Sequence, residues 1–282
     1  MKNNEQHTTE RVGWICGWGT TNQVWKPCIE RWQDATHVML PMATWFDRAT
    51  NLDEVLLLAE AGIRNLAADA VSEGQRWRIV GWSLGGIVAL GVWSLWMKSQ
   101  LQASLDRSQC LSQEEMDAFQ GIDLIGSSLC FVADPPHKGW SPRVIELMKN
   151  GLVSNPQELN RVLQRFREQV GLQENQLPNV GSVIEAWSLN GLLLGLDALK
   201  TWDFRENVLR FTDSDLVDQS KCSEQKGLNW LRRLRWLHGD RDRTCPVAAV
   251  PNDRWIETEI VAGLGHALFL ERPDLVVEWL RG

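Results

Sequence analysis

The sequence predicts an α/β fold: a mainly parallel central sheet, helices on both of its faces and a helical cap inserted into the core. Three patterns carry that expectation. Short apolar runs that stop at turn residues alternate with longer stretches of helical spacing, as strands buried on both faces do. From about Pro135 to Asp203 the alternation gives way to a purely helical pattern punctuated by prolines. Gly81-Trp-Ser83-Leu-Gly85 lies between an apolar strand-like run and an apolar helical run, which is where a tight strand-to-helix turn belongs. Residues 1–134 and 204–282 are therefore expected to form the core, and 135–203 the cap.

The elements follow in order. Met1 to Arg11 is polar and lacks the apolar stretch of a signal peptide. Val12 to Cys16 is a short apolar run ending at Gly17-Trp18-Gly19, read as a buried strand and its turn. Thr36 to Leu40 is a second strand, closed by Pro41. Leu52 to Val71 carries apolar residues at helical spacing, and Arg76 to Val80 is a strand leading into Gly81. Ile87 to Lys98 is a mostly apolar helix, too short to cross a bilayer. Further strands are read at Gly121–Ile125, Leu234–His238 and Trp255–Ile260. The polar stretches Ser99–Gln120 and Thr212–Lys226 are expected to be surface excursions.

Composition narrows the chemistry. The chain has 282 residues, 44% of them hydrophobic, enough for one substantial globular core. Sixteen are tryptophan and none is tyrosine, so proton transfer falls to His, Asp, Glu, Cys or Lys. A net charge of −7 argues against sequence-independent nucleic-acid binding, which needs a cationic surface. The acidic balance fits a cytoplasmic protein, and a monomer is expected. Cys16, Cys28, Cys110, Cys130, Cys222 and Cys245 show neither CxxC pairing nor zinc spacing, so reduced thiols are expected, with no metal and no cofactor.

A serine flanked by glycines at a strand-to-helix turn is held in a strained backbone, exposed for attack, which makes Ser83 the candidate nucleophile. Its hydroxyl needs a base. His7 and His37 precede the nucleophile and read as exposed or structural. His137, among prolines at the cap entrance, comes too early, and His238 sits in strand-like sequence as a packed imidazole. His266 follows the Val261–Gly265 loop after the last strand and is the candidate base. An imidazole, titrating near ~6.5, can accept the serine proton and return it to the leaving alcohol. The acid that orients it is Asp242, with Asp240 as the alternative. Two backbone N–H groups must face the developing oxyanion. Leu84, at a helix N-terminus, supplies one, and the glycine-flanked amide of Trp18 the other. The apolar Trp82 beside Ser83 is expected to exclude water and shape an acyl pocket.

At this point the sequence resembles the α/β-hydrolase superfamily over nearly its whole length, and within it the pimeloyl-[acyl-carrier protein] methyl ester carboxylesterase family. The order Ser83, Asp242, His266 is the order of that fold. The parallels are Gly17-Trp18-Gly19 with Val24-Trp25, Gly81-Trp82-Ser83-Leu84-Gly85-Gly86, Ser127-Ser128-Leu129-Cys130-Phe131 leading to Trp140, Arg161-Val-Leu-Gln-Arg165-Phe166, Leu199-Lys-Thr-Trp-Asp203 and His266-Ala-Leu-Phe269. The resemblance implies hydrolysis of the methyl ester at the far end of a pimeloyl chain carried on acyl-carrier protein. It implies that Phe166 lines the acyl tunnel, with Trp82, Phe131 and Phe269 as further substrate contacts, and that cap arginines grip the carrier or its phosphopantetheine. The sequence departs from the family in Cys16, where relatives usually have His, in Pro41-Met-Ala-Thr-Trp45, where they have Asp-x-Pro-Gly-x-Gly, and in a leader too short for the two strands that usually come first.

Charge bears on the carrier. Lys138 to Val170 holds six basic and three acidic residues, a balance of +3 on a chain of −7. On a helix from about Gln157 to Val170, Leu159, Val162, Leu163, Phe166 and Val170 form one apolar stripe, and Arg161 and Arg165 point away from it. Such a pair suits a phosphate or an acidic helix. The same core could also serve a general short-chain carboxylesterase or a thioesterase, or a non-catalytic binding protein of this fold.

Overall fold

In the computed structural model the described residues are 9–101, 111–132, 139–172, 186–212, 233–251 and 256–282. Six strands form one sheet: β1 (Glu10–Ile15), β2 (Ala35–Met39), β3 (Arg76–Trp82), β4 (Phe119–Ile125), β5 (Leu234–Gly239) and β6 (Glu257–Val261). Their order is β2-β1-β3-β4-β5-β6, and every pairing is parallel. The six expected strands are all present within a few residues of their expected bounds. Trp255, the expected start of the last one, lies outside the described residues, as do His7, His137, Cys110, Cys222 and the expected cap boundary at Pro135. Among the described residues no strand precedes β1.

The order of the strands locates the site. From β1 the chain moves to one side to make β2, then crosses to the other side to make β3. Between the carboxyl ends of β1 and β3 the connections diverge and leave a crevice, the usual ligand position in an open parallel sheet. The Gly17 turn leaves β1 there, and Ser83 leaves β3 there.

Helices cover both faces. α1 (Lys26–Ile29) and α2 (Met42–Arg48) follow β1 and β2. α3 (Leu52–Ser72) buries Val55, Ala59, Ile63, Leu66, Ala67 and Ala70, the i, i+4 stripe of an amphipathic helix. Its N-cap Asn51 accepts from the Glu54 N–H at 3.0 Å. α4 (Leu84–Leu101) is apolar all round and correspondingly buried, at the centre of the molecule. One expectation needs correction, and one surface stretch gains a helix. The stretch after Leu40, compared above with a family loop, is the helix α2, because the Pro41 carbonyl accepts the first helical N–H and Met42, Trp45 and Phe46 bury one face. The expected excursion after Ser99 contains α5 (Gln113–Ala118), started by a reciprocal capping box between Ser112 and Glu115.

Between β4 and β5 the described residues hold α6 (Pro142–Ser154), α7 (Pro156–Gln169), α8 (Leu189–Thr201) and α9 (Arg205–Thr212). α8 lies over the carboxyl end of β1: a Cβ on Gly195 would stand 2.5 Å from the Trp18 ring. The chain ends with α10 (Leu268–Glu271) and α11 (Pro273–Arg281). No helix among the described residues is long and apolar enough to cross a membrane.

Below the apolar core, four charged side chains on neighbouring strands form one buried network. Asp123 accepts from Arg78 at 2.9 Å and from Arg235 at 2.6 Å, and Arg78 also pairs with Glu10 at 2.5 Å. Both guanidinium groups go on to the terminal carbonyls of α11, Arg78 to Leu280 at 2.6 Å and Arg235 to Trp279 and Leu280 at 3.0 and 3.1 Å. The network thus caps the last helix and pins it to the sheet. Asp123→Asn leaves two buried cations without their shared counter-charge, and the expected loss is about 3–5 kcal/mol, read as a lower urea midpoint at unchanged slope. A midpoint equal to wild type would show that the network carries no stability.

Candidate active site

Ser83 has φ 54°, and it is the one non-glycine residue in the left-handed region among those described. Holding a serine there costs about 1–3 kcal/mol, and the surroundings over-determine it. Its N–H donates to the Ile125 carbonyl on β4, while its carbonyl accepts from the Gly86 and Ile87 N–H groups and from Ser127 Oγ at 3.0 Å. The glycines answer to contact: a Cβ on Gly85 would stand 2.4 Å from the Cys16 carbonyl oxygen, and one on Gly81 2.7 Å from the Gly86 backbone. The turn is therefore pressed directly against the end of β1.

His266 and Asp242 meet. His266 Nδ1 lies 2.7 Å from Asp242 Oδ2, and both side chains are buried. Asp242 Oδ1 accepts from the Thr244 and Cys245 N–H groups at 2.7 and 2.8 Å. Burial by itself would raise the Asp242 carboxyl, but the His266 imidazole, His238 and the Cys245 N–H outweigh it and hold it below the usual carboxylate range. Asp240, the alternative acid, is exposed, and its carboxylate accepts from the Gly263 N–H at 2.6 Å. Its work is to tie the acid loop to the loop of His266, together with the Arg241 N–H on the Leu264 carbonyl. His266 Nε2 is buried and has no partner among the described residues. An imidazole whose one nitrogen is engaged by a carboxylate and whose other is open is set to take a proton.

His238 is packed, as its strand position suggested, but not remote. Its Nε2 lies 2.6 Å from the Cys245 carbonyl and 3.4 Å from Asp242 Oδ2, and burial lowers its pKa despite the nearby carboxylate. Cys245, Asp242 and His266 place three potential ligand atoms within 4.8 Å of one another. Burial, reinforced by Asp242, pushes the Cys245 thiol well above its ordinary value, and the Asp242 and His266 atoms already face each other, so the set suits a proton relay better than a cation. Burial likewise pushes Cys16, at the end of β1, up to about 12, which removes it as a nucleophile.

The Gly17 turn stands beside Ser83: a Cβ on Gly17 would lie 2.9 Å from the Trp82 ring and 3.4 Å from Ser83 Cβ. Among the described residues no acceptor takes the Trp18 amide. The Trp18 indole N–H donates to the Leu192 carbonyl of α8 at 2.9 Å, and its ring meets Phe166 edge-on at 4.8 Å. Ring contacts continue from Phe166 to Trp140 at 6.3 Å and from Trp140 to Phe131 at 5.1 Å. Phe166 and Trp140 open onto a cavity of about 460 Å³ between α6 and α7, lined also by Val144, Leu147, Met148 and Val162, with Arg165 at its edge. Arg161 pairs instead with Glu158 on its own helix, so the two arginines are not equivalent.

Trp82 and Phe269, two of the expected substrate contacts, are both fully buried, as Trp18 is. Phe269 is wedged between Trp25 and Trp82 at 4.6 and 5.0 Å. Trp82 faces inward because successive side chains of β3 alternate, and its indole N–H holds the His266 carbonyl at 3.0 Å. These rings brace the loop of His266. Ser127, Gly126 and His238 complete the surroundings. Gly126, at φ 51°, lets the His266 carbonyl approach to 2.7 Å of where a Cβ would be.

No protein-family model matches the chain. The pimeloyl-[acyl-carrier protein] methyl ester esterase of Legionella pneumophila strain Paris is 27% identical over 205 residues, 70% of this chain and 68% of that protein. The protein of the same name from strain Corby is 27% identical over 201 residues, 68% and 66% respectively. The chain thus spans about two thirds of the length of these curated relatives. Among solved structures, the esterase EaEST from Exiguobacterium antarcticum superposes with a TM-score of 0.64 at 16% identity, covering 97% of this chain and 91% of that one. A bromoperoxidase from Bacillus anthracis gives 0.62 at 17% identity, with 97% and 91% covered. A peroxisomal α/β-hydrolase from Saccharomyces cerevisiae gives 0.54 at 15%, covering 97% and 76%. With the sheet order, the strand-to-helix turn at Ser83 and these likenesses together, the chain takes its place among proteins of the α/β-hydrolase fold.

Proposed function

We propose that the protein is a serine carboxylesterase whose substrate is a methyl ester at the end of an acyl chain carried on acyl-carrier protein, the pimeloyl chain above all. The observation that carries the reaction class is the buried His266–Asp242 pair at 2.7 Å with His266 Nε2 left open, in a chain whose strained Ser83 directly follows Trp82, the residue that holds the His266 carbonyl. Ser83 Oγ attacks the ester carbonyl as His266 takes its proton, and Asp242 offsets the imidazolium charge. The tetrahedral oxyanion accepts from the amides of Trp18 and Leu84, the latter at the N-terminus of α4. Collapse expels methanol, which leaves with the proton from His266. Water then releases the acid by the same steps in reverse.

The substrate class draws its support from the Legionella relatives and from the cavity between α6 and α7. Its apolar walls suit an aliphatic chain, and Arg165 at its edge suits a phosphate or an acidic carrier helix. A general short-chain esterase or a thioesterase uses the same three residues, and only the substrate panel separates them: carrier-bound pimeloyl methyl ester, p-nitrophenyl esters and an acyl thioester.

Ser83→Ala is expected to lower ester hydrolysis at least ~10³-fold with an unchanged circular dichroism spectrum; a variant retaining most of its activity would end the assignment. Asp242→Asn is expected to cost ~10⁴-fold in kcat, the effect of losing the correct imidazole tautomer, whereas Asp240→Asn leaves kcat close to wild type. If the two variants fall equally, the acid is misassigned. Arg165→Glu is expected to raise KM for carrier-bound ester about tenfold, or 1.4 kcal/mol, with little change on a p-nitrophenyl ester, and Arg161→Glu to do much less. Equal effects on both substrates would remove Arg165 from carrier recognition.

A further inference from the structure

We propose that Trp187 is a positioning residue for the oxyanion turn, and that helix α8 and the turn move as one unit. This rests on the esterase reading above. For the Trp18 amide to face a carbonyl oxygen bound at Ser83, the carbonyls of the same short turn must be held elsewhere, since any one of them rotated inward would present negative charge to an oxyanion. Two are visibly pinned. The Gly17 carbonyl accepts from Thr20 Oγ1 at 2.8 Å, and the Thr20 carbonyl accepts from the Trp187 indole N–H at 2.7 Å. Trp187 lies 167 residues further along the chain, is buried, and has its ring against Phe46 at 5.7 Å.

Trp187 directly precedes the N-terminus of α8. The N-cap Ser188 accepts from the Gly191 N–H at 2.9 Å and is itself tied to Asp47 of α2, which accepts from its N–H and hydroxyl at 3.0 and 2.7 Å. One turn further on, the Leu192 carbonyl takes the Trp18 indole N–H. The turn and α8 are therefore joined by two indole hydrogen bonds of opposite direction in sequence, one from the turn to the helix and one from the helix's start back to the turn. The Trp18 ring is also seated beneath Gly195. A shift of α8 would pull the turn with it. Displacing a donor by about 1 Å costs on the order of 10²-fold in rate, and such a donor acts only on the charged transition state.

Trp187→Phe keeps most of the buried ring and deletes the N–H. The expected result is a fall in kcat of about tenfold or more on a p-nitrophenyl ester that does not reach the cap, with KM changed less than twofold. A trifluoromethyl ketone reports the same loss at equilibrium. On binding, Ser83 Oγ bonds to its carbonyl carbon, the carbonyl electron pair moves onto oxygen and the serine proton passes to His266, so its affinity is expected to fall in parallel with kcat/KM. Trp279→Phe serves as a control, because the Trp279 indole nitrogen has no partner among the described residues to lose. If Trp187→Phe does not fold, benzothienylalanine at position 187, with sulfur in place of N–H, makes the same test. An active variant with wild-type kcat and ketone affinity, or one altered in KM alone, would overturn the proposal. A wild-type protein inert toward every ester would instead overturn the esterase reading.

Discussion

The left-handed backbone of Ser83 is the constraint around which the site is arranged. A parallel strand running straight into a helix must reverse its direction in one residue, and at Ser83 it does so against the end of β1, with the Cys16 carbonyl so close to Gly85 that no side chain fits. The strain is sustained because the neighbours leave no alternative: β4 takes the Ser83 N–H, and Ser127 and the first turn of α4 take its carbonyl. The same compression brings the Gly17 turn against Ser83 Cβ. The Ser83 turn and the Gly17 turn beside it are thus consequences of one packing problem, solved at the point where the strand order reverses.

The strands, the long helices and the strand-to-helix turn at Ser83 were legible because each rests on a local pattern. A buried parallel strand reads as an apolar run, and the serine turn needs its glycines at fixed spacing whatever else the chain does. The choice between Asp240 and Asp242 was not legible, since both occupy one loop and only the direction of their side chains separates them. Helix α2 was obscured by the family comparison, although Met42, Trp45 and Phe46 have the i, i+3, i+4 spacing of a buried helix face. Helix α5 did carry its signal, the Ser112 to Glu115 capping box, within a stretch read as surface polarity. The burial of Trp82 and Phe269 could not be read from likeness to a family, because a motif fixes which residues recur and leaves open which way each one faces.

The tryptophans show the same division between area and direction. Read by composition, Trp77, Trp96 and Trp187 are simply large apolar surface. In the fold each indole N–H also has a distant acceptor: the Glu115 carbonyl for Trp77, the Glu60 carboxylate for Trp96 and the Thr20 carbonyl for Trp187. Trp18 and Trp82 add the Leu192 and His266 carbonyls. A phenol could donate at these places, but it would also accept and titrate, whereas an indole only donates. In a chain without tyrosine, these five ties are made by a group that donates and does not titrate.

That choice bears on how the site keeps its charges in order. Around His266 the polar atoms divide cleanly: the carbonyl is held by Trp82, Nδ1 by Asp242, and Nε2 is left open. His238, close enough to compete for Asp242, has its Nε2 against the Cys245 carbonyl, and burial lowers its pKa despite the carboxylate. The Cys245 thiol is held protonated by burial and by the same carboxylate. Asp242 thus meets His266 at 2.7 Å and His238 at 3.4 Å, and the shorter contact leaves His266 Nε2 open, which is where the esterase reading needs its proton acceptor.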